Sequence, residues 1–388
     1  GNVNSTPISF SSNGTINSTS GLFNSTLNGT YFVSASAGAV TNTSFVSVAS
    51  NNIASIQLTP VDSTINAGVN QSFTALGFDV WGNGNNTGIE FNSTGSINLN
   101  TGYFDSTLAG VYSVTAYDAG TLTSATTSIT VIAADISRID LTPQDASIVA
   151  GVNQSFASTG YDIWGNVNNS GIIYSSNGSI NSTSGYFDST SANAYQVNAT
   201  VGSVVNTTSI AVTPNAIASI SLTPVASSIV AGSYQEFVSA AYDAWGNVNN
   251  TGLAFSSNAS TGFTSSNATS ANFTNTTSGT YSITSADAGT GVSNTTSISV
   301  TASVVAQIIV SPTSSNLVAG GYQSFIAVGT DAYNNVNNSG LAWSSNASTG
   351  FTSLSAISSN FTNTTVGFYS ITSTEAGTGV ANTSYANV

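Results

Sequence analysis

Asp79, Asp162, Asp243 and Asp331 stand at equivalent places along the chain, each two residues before an aromatic ring: Trp81, Trp164, Trp245 or Tyr333. A carboxylate in such a place can ligate a hard cation or cap a turn. Asn83, Asn166 and Asn247 lie close enough in sequence to offer carbonyl oxygens, and Ca2+ wants six to eight oxygen ligands. A weak calcium site at the four Asp residues is therefore one expectation. The other is an Asx turn, in which the carboxylate accepts from the backbone amides just ahead of it. Recurrence favours the turn, because a catalytic pair is needed once and a structural duty is needed in every copy.

Other chemistry is scarce. Asp105 and Asp188 recur in Tyr-Phe-Asp phrases, with Asn24 in the same place earlier, but glycoside hydrolysis needs two carboxylates across one cleft. The 388 residues contain no His, no Cys and no Met, and Arg138 is the single basic residue against 15 acidic ones, for a formal charge of -14. Triads and histidine or thiolate metal sites cannot be built from this set. Nor can a Schiff base or a Lys–Asn crosslink. The reading is not an enzyme and no resident cofactor. Nucleic acid is excluded as a partner, since phosphate contacts need several cations. No stretch approaches the roughly 18 apolar residues of a membrane helix.

The elements that carry these residues are repeated. Leu-Thr-Pro occurs at 58–60, 141–143 and 222–224, with Val-Ser-Pro at 310–312, and each is followed by Ala-Gly at 67–68, 150–151, 231–232 and 319–320. Downstream come FDVWGNGNN from Phe78, YDIWGNVNN from Tyr161, YDAWGNVNN from Tyr242 and TDAYNNVNN from Thr330. Apolar runs are short, alternate with period two and are rich in Val, Ile, Thr, Tyr and Phe, which predicts strands. Tyr112, Val114 and Ala116 share one face, as do Tyr195, Val197 and Ala199, and Tyr31, Val33 and Ala35. A repeat of about 83 residues with some seven strands fits a two-sheet sandwich. The segments 265–275 and 353–363 read as Ser-, Thr- and Asn-rich insertions that add glycan-bearing surface.

The set Leu141, Pro143, Ala150, Gly151, Gln154, Phe156, Gly160, Tyr161, Asp162, Gly165, Asn166 and Ser209 to Val212 resembles the tandem bacterial and archaeal immunoglobulin-like (Big-type) repeats of cell-surface, adhesin and filament proteins. The last copy departs from it where Tyr333-Asn334 replaces the Trp245-Gly246 pair, so a different turn is expected there. The resemblance implies an all-β chain of tandem immunoglobulin-like β-sandwich domains in an extended rod. The rear half of one module would span 1–50, with full modules over 51–133, 134–215, 216–302 and 303–388. It also implies spacers or adhesive stalks without catalytic residues. The recurrent Trp81, Trp164, Trp245 and Tyr333 then read as interdomain packing rather than sugar-stacking surfaces.

Charged residues are only 4% of the chain, where a soluble exterior carries roughly 25–35%. Neutral sugar would supply the missing hydration. Twenty-six Asn-x-Ser/Thr sequons are present, and two sets recur: Asn4, Asn85, Asn168, Asn249 and Asn337 after the aromatic turn, and Asn42, Asn206, Asn294 and Asn382 before the last strand, lost only at Ala125. Asn198 sits on the outward face of its strand. Covalent N-linked glycans are expected at these positions. Together these traits point to an extracellular, cell-surface structural subunit of a filament, stalk or surface layer. The alternative is an adhesin or carbohydrate-binding repeat array. Self-association into a polymer or lattice is expected, with strand complementation of residues 1–50 as one route.

Overall fold

The computed structural model describes residues 6–260 and 262–388. All regular secondary structure among them is β, and no helix is long and apolar enough to cross a membrane. The described chain divides into two compact units. One holds residues up to Ala146 with Gln154–Phe187 and Tyr195–Ile210; the other holds Ser147–Asn153, Asp188–Ala194 and Ala211–Val388.

In the first unit, Ile89–Ser93, Gly110–Asp118, Thr123–Ile132 and Ser63–Asn66 form one sheet in that order, Ser63–Asn66 joining parallel and the rest antiparallel. Opposite it, Ser55–Thr59 pairs with Thr74–Phe78, and Ser96–Ile97, Tyr103–Asp105 and Gln71–Ser72 make a short third sheet. The chain leaves one sheet for the other through the cis Thr59–Pro60 bond. Alternation places Val114 and Ala116 inward, where they meet Phe73, Phe104, Ile129 and Val131. Burying a side chain the size of Phe, Val or Ile contributes about 1.5–3 kcal/mol, so this inner layer is the main source of cohesion in a chain with almost no ion pairs. Near the start, Ser9–Ser12, Gly29–Ala37 and Val40–Val48 form a three-stranded sheet with Val40–Val48 at its edge.

The second unit contains two fuller sandwiches. Ser219–Thr223, Tyr234–Tyr242, Ser270–Thr274 and Phe263–Ser266 form one sheet, and Ala226–Val230, Ser293–Thr301, Gly279–Asp287 and Leu253–Ser257 form the other. The same pattern follows from Gln307–Ser311 to Ala381–Asn387. The segments 265–275 and 353–363, expected as surface insertions, are instead largely strand. Ser270–Thr274 and Ser358–Thr362 are interior strands of their sheets, and Phe273 and Phe361 are fully buried. The polar majority masked one inward ring in each.

A tyrosine corner recurs, as in immunoglobulin-like sandwiches. The hydroxyls of Tyr31, Tyr112, Tyr281 and Tyr369 donate to the carbonyls of Leu27, Leu108, Thr277 and Thr365 at 2.8–3.0 Å. The resemblance is thus realised at the level of fold: all-β, with sandwich domains in tandem.

Candidate functional site at the joints between repeats

The four recurrent Asp residues lie on the turn that follows a strand, and each is buried. Asp79 Oδ1 accepts from the backbone N–H groups of Trp81 and Asn83, both at 2.9 Å. Its Oδ2 accepts from Asn83 Nδ2 at 2.8 Å and from Asn51 N at 3.0 Å. Asn51 belongs to the linker between Val40–Val48 and Ser55–Thr59, so one carboxylate fastens both the turn and the connection to the preceding repeat. Asp162 holds Ala134, Asp243 holds Asn215 and Asp331 holds Ser303 in the same manner.

The Asn four residues on completes the joint. Asn83 Nδ2 also donates to Thr26 O, and Asn83 Oδ1 accepts from Asn28 N, so the side chain bonds to a stretch of the earlier repeat as a strand neighbour would. Asn166 does this with Thr107 and Ala109, Asn247 with Thr190 and Ala192, and Asn335 with Thr276 and Ser278. Each joint lies within one of the two units.

Burial pushes the Asp79 carboxyl up, but the Asn83 side-chain amide and the backbone amides of Asn51, Asn83 and Trp81 outweigh it and hold the group at about 2. Asp243 and Asp331 are also held at about 2, and Asp162 is lowered, by the same balance. For a cation, this matters directly: four N–H donors already point at the two oxygens, and Ca2+ would have to displace them. Among the described residues no three acidic side chains gather to hold a metal.

The aromatic residues reach back along the chain. A Cβ at Gly68 would lie 2.1 Å from Trp164 Cη2, one at Gly151 2.4 Å from Trp245 Cη2, and one at Gly232 2.4 Å from the Tyr333 hydroxyl. Each ring therefore rests on the bare backbone of an Ala-Gly turn in the repeat before. Trp81 is half exposed, with no such glycine facing it among the described residues. The last turn keeps its geometry despite the Tyr333-Asn334 replacement, because Asn334 adopts φ +67, close to the +85 of Gly246. Asn is one of the few residues that visits this region readily.

The sequon asparagines divide by what their amides do. Asn85, Asn168, Asn249 and Asn337 donate through Nδ2 to the linker carbonyls of Asn51, Ala134, Asn215 and Ser303, at 2.7–2.9 Å. The linker residue that gives its N–H to the Asp thus gives its C=O to this Asn. Asn206, Asn294 and Asn382 donate to Ile139, Ile220 and Ile308 at 2.6–2.8 Å, tying a strand of one sheet to the first strand of the opposite sheet. At all seven, the nitrogen that would carry sugar is engaged inside the fold. Asn42 is exposed, and Asn198 uses only its oxygen, accepting from Thr207 Oγ1. Asn4 lies outside the described residues.

Repetition marked the Asp, the aromatic and the sequon. It did not reveal the joint-forming roles of Asn83, Asn166, Asn247 and Asn335, whose partners are backbone atoms more than fifty residues earlier. The available signal was the fixed spacing Asp-x3-Asn-x-Asn, common to all four copies.

No protein-family profile matches the chain, and no curated protein matches it. Solved structures similar to it include domains 1–6 of the surface layer protein SbsC, at 15% identity over 97% of this chain and 62% of that one, with a TM-score of 0.27. Invasin, a bacterial integrin-binding protein, is 14% identical over 86% of this chain and 78% of its own, with a TM-score of 0.40. The Escherichia coli adhesin FdeC is 18% identical over 66% of this chain and 99% of its own, with a TM-score of 0.41. The chain spans about 62% of the SbsC structure's length.

Proposed function

We propose that the chain is a structural, non-catalytic part of an extracellular, N-glycosylated filament, stalk or surface layer. The joint carries this reading. The same Asp, Asn and Asn set ties the linker and the preceding repeat four times over, which is the investment expected where domains must keep their places. A surface with one basic residue and no thiol or thioether suits lasting exposure, since trypsin-like cleavage and oxidation find few targets. Immunogold labelling of intact source cells with antibodies to the chain tests it. Label on external structures is expected; label confined to the cell interior would overturn the reading.

In the same reading the chain self-associates, and the edge strand Val40–Val48 is where a strand from another copy would add. A second reading, an adhesin or carbohydrate-binding array, is favoured by a crevice beside Trp164 that Asn70, Asp105 and Tyr112 also line.

A further inference from the structure

Beside the Ala-Gly turn at Gly68 and the Trp164 ring seated on it, the first unit contains an open crevice of about 560 Å³. That size falls within the roughly 300–1,000 Å³ of small-molecule sites. Its walls include Asn70, Asp105, Thr107, Tyr112 and Trp164. Trp164 is fixed along one edge by Gly68 yet remains 46% exposed. Tyr112 is immobilised by its hydroxyl bond to Leu108 O at 2.8 Å. The side chains of Asp105 and Asn70 are exposed and hydrogen-bond to nothing among the described residues.

A fixed aromatic ring beside a free carboxylate is suited to a sugar. The C–H face of a pyranose stacks on an indole, and adjacent hydroxyls donate to the two carboxylate oxygens. An anionic ligand would find no cation here, since Arg138 is the chain's only one. Asn70 opens the sequon Asn70-Gln71-Ser72, and its unengaged amide sets it apart from the seven sequons whose nitrogens serve the fold.

The set recurs at one further joint. In the second unit Trp245 rests on Gly151, with Asn153, again a sequon, and Asp188 at the places of Asn70 and Asp105. At the following joint the ring is Tyr333, and Tyr234 and Thr274 stand at those places. The Trp245 joint thus repeats indole, carboxylate and sequon, the Tyr333 joint lacks both carboxylate and sequon, and the Trp81 joint has Asn24 in place of the carboxylate.

We propose that this crevice binds a neutral pyranose ring stacked on Trp164 and hydrogen-bonded to Asp105. The sugar is either the first residues of an N-glycan on Asn70 or part of a free saccharide. The proposal rests on the surface-protein reading above and adds the ligand's class and place.

Two arms on the full chain test it. In the first, glycopeptide mass spectrometry of native protein determines whether Asn70 is occupied. Acrylamide quenching of Trp164, taken as the difference from W164F, is then compared with and without N70Q. A tethered sugar predicts occupancy and about twofold greater quenching in N70Q, as a stacked ring is uncovered. In the second, N70Q protein is titrated with N,N′-diacetylchitobiose, maltose and cellobiose. A free ligand predicts binding that D105N weakens by about tenfold, the value of a hydrogen bond to a charged group, with the melting temperature unchanged. Protection in the first arm assigns the tethered source, and binding in the second assigns the free one. The proposal is overturned if neither protection of Trp164 nor binding weakened by D105N is seen. External immunogold label alongside that result would leave the structural reading standing; internal label with saccharide binding intact would sink that reading and spare the crevice.

Discussion

Asn83 Nδ2 lies 2.8 Å from the carbonyl oxygen of Thr26, and Asn83 Oδ1 lies 3.0 Å from the amide nitrogen of Asn28, so one side chain both donates to and accepts from a backbone stretch in the repeat before it. The same pairing joins Asn166 to Thr107 and Ala109. Replacing Asn166 by Ala removes both bonds and one donor to Asp162. Unsatisfied polar groups of this kind cost about 1–3 kcal/mol each when water cannot replace the partner. Hydrogen exchange at the Ala109 amide is expected to accelerate by roughly tenfold or more in N166A. Exchange at Ser278, served by Asn335, should not change.

Gly68 and Gly165 both adopt positive φ, at +79 and +90, so Ala at either strains the backbone by about 1–2 kcal/mol. Only Gly68 also faces a ring; Gly165 has open space around its missing Cβ. G68A is therefore expected to push the Trp164 indole from its seat, shifting tryptophan emission to the red, whereas G165A leaves emission in place. Combining G68A with W164A should abolish the difference in stability between the two glycine variants.

Acid should loosen the joints. Asp79, Asp243 and Asp331 titrate at about 2 in the fold against a reference of 3.8, and Asp162 is also lowered. A depressed folded-state value means that the stabilisation is fully present above the unfolded value and is lost as pH falls from 3.8 toward about 2. Melting temperature is expected to fall in that window, and to stay level between about pH 5 and 9, where no His titrates. The D243N variant should show a shallower acid decline.

Chelation should do little. Because N–H donors occupy both oxygens of each joint Asp, excess EDTA is expected to leave the melting temperature of native protein unchanged. A large drop would show that a cation occupies the joint in place of those donors.

Ala125 stands where Asn206, Asn294 and Asn382 tie their two sheets together. The corresponding acceptor is the carbonyl of Ile56, in the same place as Ile139, Ile220 and Ile308. A125N, produced without glycosylation, is expected to gain about 0.5–1.5 kcal/mol from the restored bond, and N206A to lose a similar amount. Denaturant unfolding measures both.

The fold class was legible because it rests on period two and on repetition, which are properties of neighbours in sequence. Val114 and Ala116 announce their inward face by alternation alone. Phe273 and Phe361 did not, since each sits among Ser, Thr and Asn residues whose outward faces dominate the local composition. The candidate site was legible by halves. The Asp and the aromatic ring repeat visibly, but a sequon asparagine looks the same whether its amide faces solvent or a linker carbonyl. Only the position of Asn51 O beside Asn85 distinguishes the two, and that contact arises from the path of the chain.

In every joint the later repeat contributes the specific side chains, while the earlier one receives them largely through main-chain atoms, such as Thr26 O and Asn28 N, and in three of the four also through a glycine. Any repeat with the same backbone course can therefore precede any other. Duplicating or deleting a whole unit in the gene would leave each new boundary already fitted, so the length of such an array is free to drift between lineages without redesign of its couplings.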